Sequence, residues 1–423
     1  MDIFTTAGNE NGLTNEEINA ALIKSMEGRD LKNVLILPPD ITRFHSNAGY
    51  ITNFLYHYLT EKGVNVDIIP TVGTHLPLTP EQAERMYGDI PFEKFIAHKF
   101  REDTVKLGEV PGEFINEVAE GIWNEPVSVE VSKYVMDPKY DLIVSPGQVV
   151  PHEVVGMANH AKNFFVGVGG ADMINKIHII AAIYGKEKMM GKEYTPIRKI
   201  FDYAFDKFLS QLPILFMLTV TTAPGGKIRT HGLFIGEGRE CLTQAVKLSQ
   251  EKNIDFVDHA IKKCVVYLDP SEFTTTWVGN KSVYRTTLAM ADDGDLIILA
   301  PGVDRFGEDP ENDRLIRKYG YFGTAATVKA MNENDDLKAN LGAAAHLIHG
   351  TCDGRYRITY CVKEISQEEI RKVGYIAASY DEMIQKYNPE KLVPGYNTVD
   401  GEDIFYVPNP ALGLWINRET FEG

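Results

Sequence analysis

What most constrains this chain is the alternation, through its first two-thirds, of short apolar runs with segments of helical period. Asn33 to Leu37 (NVLIL) has the pattern of a buried strand closed by Pro38-Pro39, and a helical pattern follows over about Ala48 to Lys62. Val64 to Pro70 predicts a second strand and Pro80 to Tyr87 a second helix. Asp141 to Val144 and Asn163 to Val168 read as further strands, each followed by glycine or proline. Tyr194 to Leu209 reads as an amphipathic helix, and Ile214 to Thr221 as a strand rich in β-branched residues. Such alternation builds βαβ units around a mostly parallel sheet. At 423 residues the chain is too long for one ordinary core, so more than one domain is expected. The polar, Thr-rich stretch Asp269 to Lys281 marks the expected boundary, and strand and helix patterns resume after it. The fold class is therefore α/β: two α/β domains with mostly parallel sheets and an interdomain active-site cleft. The expected spans are 1–268 for the first domain, 269–390 for a substrate-side second domain, and 391–423 for a tail packing back on the first.

The formal net charge of -16 excludes general affinity for nucleic acid, whose phosphates need a basic surface. Cys241, Cys264, Cys352 and Cys361 are widely spaced with no C-x-x-C pair, the pattern of reduced thiols rather than a disulfide framework. Met1 to Glu10 has no basic region followed by an apolar run, and the longest apolar stretches, such as Leu212 to Val220, are too short for a membrane-spanning helix. A cytoplasmic protein acting on a small molecule, without nucleic acid or membrane partners, is the expectation.

Three expected strand ends carry polar clusters: Asp40-Ile41-Thr42-Arg43, Gly73-Thr74-His75, and Ser145-Pro146-Gly147-Gln148 leading to His152. Open α/β sheets bind ligands beyond the carboxyl ends of their strands, so three clusters at equivalent ends suggest one pocket. Turns and caps also use Asp, Thr and Gly, and a single cluster would carry little weight. His75 and His152 have the side chain that takes up or gives a proton near neutral pH. Gly167-Val168-Gly169-Gly170 precedes a helical segment; its backbone amides could cradle a phosphate, although the full G-x-G-x-x-G spacing is missing. No H-E-x-x-H or H-x-H signature is present, so a self-contained three-ligand zinc site has no support.

Taken with Lys162 and His178, the order and spacing of these clusters resemble the nickel-dependent lactate racemase family. The resemblance covers most of the chain in layout, and its specific motifs lie between Asp40 and His178. It implies a 2-hydroxyacid racemase or epimerase that uses a nickel-pincer nucleotide, a nicotinate-derived mononucleotide carrying two sulfur-containing groups. Lys162 would be the covalent anchor and His178 a ligand of the nickel, the pincer supplying two sulfurs and a ring carbon. Soft sulfur donors with an imidazole suit square-planar nickel. His75 and His152 would be the acid–base pair, one taking the hydroxyl proton while the C2 hydrogen leaves as hydride to the cofactor. A planar 2-oxo acid results, and hydride return to either face inverts C2. Arg43 would hold the substrate carboxylate. Asp40 and Thr42 would orient it or contact the cofactor, and Gly169 and Gly170 would receive the nucleotide phosphate. Cofactor-maturation proteins are implied partners.

The second domain departs from the family pattern. Tyr284-Arg285 followed by Leu288 stands where lactate racemase has Tyr-Gln and then a lysine, and the family's substrate-side tryptophan has no counterpart near Leu341 to His346. Arg285, His346, His349, Thr351 and Asp353 would make a wall too polar for a methyl group, pointing to a polyhydroxylated acid such as the aldonate gluconate, or another polar hydroxy acid. The remaining alternatives are lactate racemase proper, a metal-dependent hydrolase with His75, His152 and His178 as ligands, and a non-catalytic sugar-acid binding protein.

Overall fold

The computed structural model describes residues 2–73 and 75–421. The chain divides into two compact units, residues 1–177 with 189–253, and residues 178–188 with 254–423.

The first unit is built on a six-stranded sheet of β1 (Ile3–Thr6), β2 (Asn33–Ile36), β3 (Asn65–Ile68), β4 (Leu142–Gln148), β5 (Ile214–Thr222) and β6 (Arg229–Gly236), in spatial order β1-β6-β5-β4-β2-β3. The pairs among β3, β2, β4 and β5 are parallel, while β6 and β1 are antiparallel additions at one edge. Parallel strands covered on both faces need near-continuous apolar sequence. ILFMLTVTT in β5 supplies it, with every residue but the last buried. Helix Ala48–Thr60 buries Ile51, Leu55 and Leu59 at helical spacing, and they join Val34, Ile36, Val66, Ile68 and Val144 in one core. Helix Asn15–Met26 starts at a Thr14–Glu17 capping box, and helix Pro80–Tyr87 at a Thr79–Gln82 box.

Asn163 to Val168, expected as a strand, is instead a π-helical turn over Asn163–Gly167. Val168 N donates to Asn163 O at 2.9 Å across five residues. A short apolar run has no period of its own and buries equally well in either conformation, and here Phe164 and Phe165 are fully enclosed. Such turns recur at functional sites, and this one opens directly after Lys162.

The second unit holds a sheet of β7 (Ile261–Tyr267), β8 (Met290–Ala300), β9 (Arg357–Val362), β10 (Ile376–Ala377), β11 (Gly395–Val399) and β12 (Glu402–Val407), in order β10-β9-β8-β7-β12-β11. All its pairs are parallel except β11 with β12. Two boundaries differ from expectation. The second sheet begins at β7, ahead of the Thr-rich stretch, because Thr275 in that stretch caps helix Thr276–Gly279 rather than linking domains. The tail does not return to the first sheet: β12 pairs with β7, and Trp415–Asn417 pairs with Asp255–Val257, all within the second unit. Among the described residues no helix is long and apolar enough to cross a membrane.

Candidate functional site

The carboxyl ends of β2 and its parallel neighbour β4 place two of the expected clusters side by side in the first unit. After β2, Asp40 caps the 3-10 helix Ile41–Ser46. Its Oδ1 accepts from Thr42 N at 3.1 Å and Thr42 Oγ1 at 2.5 Å. Its Oδ2 lies 2.6 Å from His75 Nδ1. A carboxylate only accepts, so Nδ1 carries the proton and Nε2 keeps the lone pair: His75 is set in the tautomer of a base. The Asp40 side chain is 8% exposed and that of His75 58%. Burial works to raise the Asp40 carboxyl, but the bonds from His75 and Thr42 outweigh it and hold its pKa below the ordinary value. Gly73, which carries the loop into His75, has φ +59 and a backbone bond to Gly167 O at 2.8 Å. Thr74 lies outside the described residues.

On the β4 side, His152 is buried, and its Nδ1 accepts from Val154 N at 3.1 Å and stands 3.8 Å from Glu153 Oε2. An accepting Nδ1 places the proton of the neutral ring on Nε2, the opposite tautomer to that of His75. Past it the chain turns through Asn159 and His160, with φ of 73° and 59°. Asn163 Nδ2 donates to Ser145 Oγ at 3.2 Å and Asn159 Oδ1 at 2.9 Å, tying the turn to β4. Gly147 is required there, because a Cβ would meet Asn159 Nδ2 at 2.2 Å. Arg198, fully buried, donates to Met157 O at 2.6 Å and Asn159 O at 3.3 Å. The His160 ring stacks on Phe216 at 3.8 Å, and burial pushes it well below its ordinary pKa.

This frame presents Lys162, which is half-buried. Burial, reinforced by the Arg43 guanidinium, pushes its ammonium down to about 8, with Glu153 and Asp40 working the other way. Arg43, Asp40 with His75, Glu153 and Lys162 thus share one electrostatic neighbourhood. Thr42 is committed to Asp40.

Gly169 and Gly170 have a packing account rather than an open cradle. A Cβ at Gly169 would meet Phe165 O at 2.0 Å, and one at Gly170 would meet Glu130 Oε2 at 2.3 Å. A carboxylate beside Gly170 is a poor neighbour for a phosphate, so the phosphate placement is not retained. His178 lies half-buried on helix Ala171–Tyr184, at the first residue assigned to the second unit. Among the described residues no three His, Cys, Asp or Glu side chains gather as a metal site, so a metal would need most of its donors from a bound group. An amine of lowered basicity and a separate imidazole are the donors that a pincer nucleotide bringing its own sulfurs requires, and the residues fit it in that respect.

In the second unit Tyr284 and Arg285 are buried on helix Lys281–Thr286, the Tyr284 ring 6.1 Å from that of His349. The other proposed wall residues are engaged internally. His346 stacks on Trp277 at 4.0 Å, and its Nε2 bonds Tyr321 OH at 2.8 Å, which meets Thr276 Oγ1 at 3.0 Å. Burial pushes His346 down to about 3. Asp353 accepts from Thr324 N at 2.6 Å and Thr324 Oγ1 at 2.8 Å. Thr351 Oγ1 accepts from Asp353 N at 3.1 Å, and buried Lys186 donates to the carbonyls of His349 and Thr351. Cavities of 790 and 530 Å³ in this unit are not lined by Tyr284, Arg285 or His349. Sequence reasoning missed the Trp277–His346 stack, Arg198 and the Asp40–His75 bond, each joining residues too far apart in sequence for a local pattern.

The fold has solved relatives. A Thermotoga maritima protein is 23% identical, with a TM-score of 0.79 over 97% of this chain and 99% of that one. The lactate racemase apoprotein of Thermoanaerobacterium thermosaccharolyticum is 16% identical, with a TM-score of 0.69 over 96% of this chain and 93% of that one. No curated protein sequence matches. At these identities the structures establish a shared α/β fold. Residues 10–191 match the model of the lactate racemase N-terminal domain. Asp40, Arg43, His75, His152, Lys162 and His178 all fall within the matched segment.

Proposed function

We propose that this protein is a racemase or epimerase that inverts C2 of a 2-hydroxy acid. The observation that carries the reading is the Asp40–His75 pair set in base form beside an unusually acidic lysine ammonium, inside the segment matching the lactate racemase N-terminal domain. Arg43 holds the substrate carboxylate, its planar donors matching two oxygens at once. His75 Nε2 accepts the proton of the 2-hydroxyl, and Asp40 stabilises the resulting imidazolium. His152, carrying its proton on Nε2, donates a hydrogen bond to the oxygen in the opposite configuration. Lys162 would anchor a nickel-pincer nucleotide and His178 would ligate its nickel. When bound, that group supplies the acceptor for the C2 hydrogen, a step no side chain here can perform.

For the substrate we propose a polar 2-hydroxy acid, an aldonate such as gluconate. The support is the buried Arg285 with Tyr284 and His349; His346 and Asp353 are bonded within the unit and add nothing to it. The test is turnover of lactate and gluconate by protein co-produced with the cofactor-synthesis proteins, followed by loss of C2 stereochemistry. Inversion of gluconate with lactate inert is expected. Rapid lactate inversion with gluconate inert refutes the polar substrate, and no inversion of any 2-hydroxy acid by cofactor-loaded protein refutes the reaction.

A further inference from the structure

We propose that a cavity within the second unit binds the zwitterion of an apolar amino acid, its carboxylate on Arg357, its ammonium on Asp353 and its side chain on Phe322 and Ile376. The cavity shares no residue with the reaction proposed above, so the two readings stand or fall separately.

The cavity measures 530 Å³, and these four residues line it together with buried Tyr321 and Tyr375. That volume suits a small ligand. Its floor is held from behind: Tyr321 OH bonds His346 Nε2 at 2.8 Å, and Tyr375 OH donates to Gly350 O at 2.7 Å. Its apolar wall is held as well. Phe322 is 59% exposed, yet the backbone is shaped to seat its ring. Gly320 and Gly374 have φ of +64 and +98, and a Cβ on them would meet the Phe322 ring at 2.5 and 3.1 Å respectively. Left-handed backbone at two glycines thus makes room for an aromatic ring whose remaining surface is open. Ile376, on β10, is 47% exposed on the same cavity. A fixed ring and a branched side chain left open in one depression suit an apolar ligand body.

The charged residues determine the rest of the ligand. Arg357 opens β9 opposite Asp295 of β8, and its Nε donates to Asp295 Oδ1 at 2.7 Å. Among the described residues nothing bonds its two terminal nitrogens. One carboxylate therefore orients the guanidinium while its Nη donors remain available to a second. Asp353 holds the start of helix Thr324–Glu333, Oδ1 accepting from Thr324 N at 2.6 Å and Oδ2 from Thr324 Oγ1 at 2.8 Å. That structural role fixes the carboxylate, which is exposed and keeps a further lone pair on each oxygen. A cation and an anion, each fixed by its own bonds, line one cavity with an apolar wall. A ligand of single charge leaves one of them unanswered. An amino acid carries ammonium and carboxylate on one carbon and directs its side chain to the wall.

The experiment is isothermal titration calorimetry on the full chain, dialysed free of amino acids. The probes are L-phenylalanine and two half-ligands: phenylpropionate, which lacks the ammonium, and phenethylamine, which lacks the carboxylate. A single site for L-phenylalanine is expected, with each half-ligand weaker by about tenfold or more, since each loses one charge-assisted bond. Arg357→Gln and Phe322→Ala, both at exposed side chains, should each weaken L-phenylalanine by about tenfold or more with circular dichroism unchanged. Phenylpropionate or phenethylamine binding as tightly as L-phenylalanine overturns the zwitterion. The absence of both binding heat and a melting shift at about 10 mM L-phenylalanine overturns the site, as does binding indifferent to Arg357→Gln or to Phe322→Ala.

Discussion

At the strand ends of the first unit, Asp40 is held by His75 and Thr42, while Lys162 has no hydrogen-bond partner among the described residues and lies in the field of Arg43. In the second unit two groups of buried side chains bond to one another. Thr276, Tyr321 and His346 form a chain under Trp277, and Asn280 Oδ1 accepts from Tyr360 OH at 2.7 Å and Tyr375 OH at 3.1 Å. Bonds of this kind among buried side chains help to specify a fold. A cluster of charges with perturbed pKa values is where chemistry is expected. By that measure the reacting groups belong to the first unit, and the polarity of His346 and Asp353, which suggested a substrate wall, is structural.

The comparison breaks most sharply at Asp40. Asp40→Asn keeps a hydrogen-bonding side chain but removes the acceptor that fixes the His75 tautomer, and inversion should fall about 100-fold or more with the fold intact by circular dichroism. An equal activity loss from Tyr321→Phe would show that the two units contribute alike. Tyr321→Phe should instead cost about 1–3 kcal/mol of stability in denaturant unfolding, because His346 loses its partner inside the core, and leave the C2 chemistry within a few-fold.

The two units should also respond differently to acid. His346 is pushed from its ordinary value of 6.5 to about 3. Between these values the unfolded chain binds a proton that the folded chain refuses. Its contribution to stability is therefore complete above about pH 6.5 and is lost progressively below it. The Asp40 pKa is lowered, so its contribution is complete above the ordinary carboxylate range and disappears only as the pH falls through the depressed value. Thermal melts of wild type and His346→Gln from pH 7 to pH 4 should converge as the pH falls; parallel curves would remove His346 from the acid response.

The smallest effect is expected at Lys162. Its pKa is lowered to about 8, so folding opposes the protonated form. Lys162→Met should raise stability at pH 7 by on the order of 1 kcal/mol, with the gain shrinking as the pH rises from about 8 toward the ordinary lysine range. A loss of stability would mean that the amine is well accommodated, contrary to the comparison.

Much of the scaffold is legible from the sequence because it rests on local pattern. Continuous apolar runs marked β2 and β5, and helical spacing marked helix Pro80–Tyr87. The polar clusters after β2 and β4 were legible as strand-end residues. The Asp40–His75 bond was not, since it spans 35 residues. Nor was the π-turn at Asn163, whose FFVG run fits several conformations. The Gly169-Gly170 pair showed only that side chains are excluded; what excludes them, Phe165 and Glu130, comes from packing.

The central claim is that the first unit's strand-end cluster is a cofactor-anchoring active site, and Lys162 is its most direct probe. Protein co-produced with the cofactor-synthesis proteins should show, by intact mass and peptide mapping, a nickel-containing nucleotide adduct confined to Lys162 and absent from Lys162→Arg. An unmodified Lys162, in a preparation where a known lactate racemase loads its cofactor in parallel, would contradict the account.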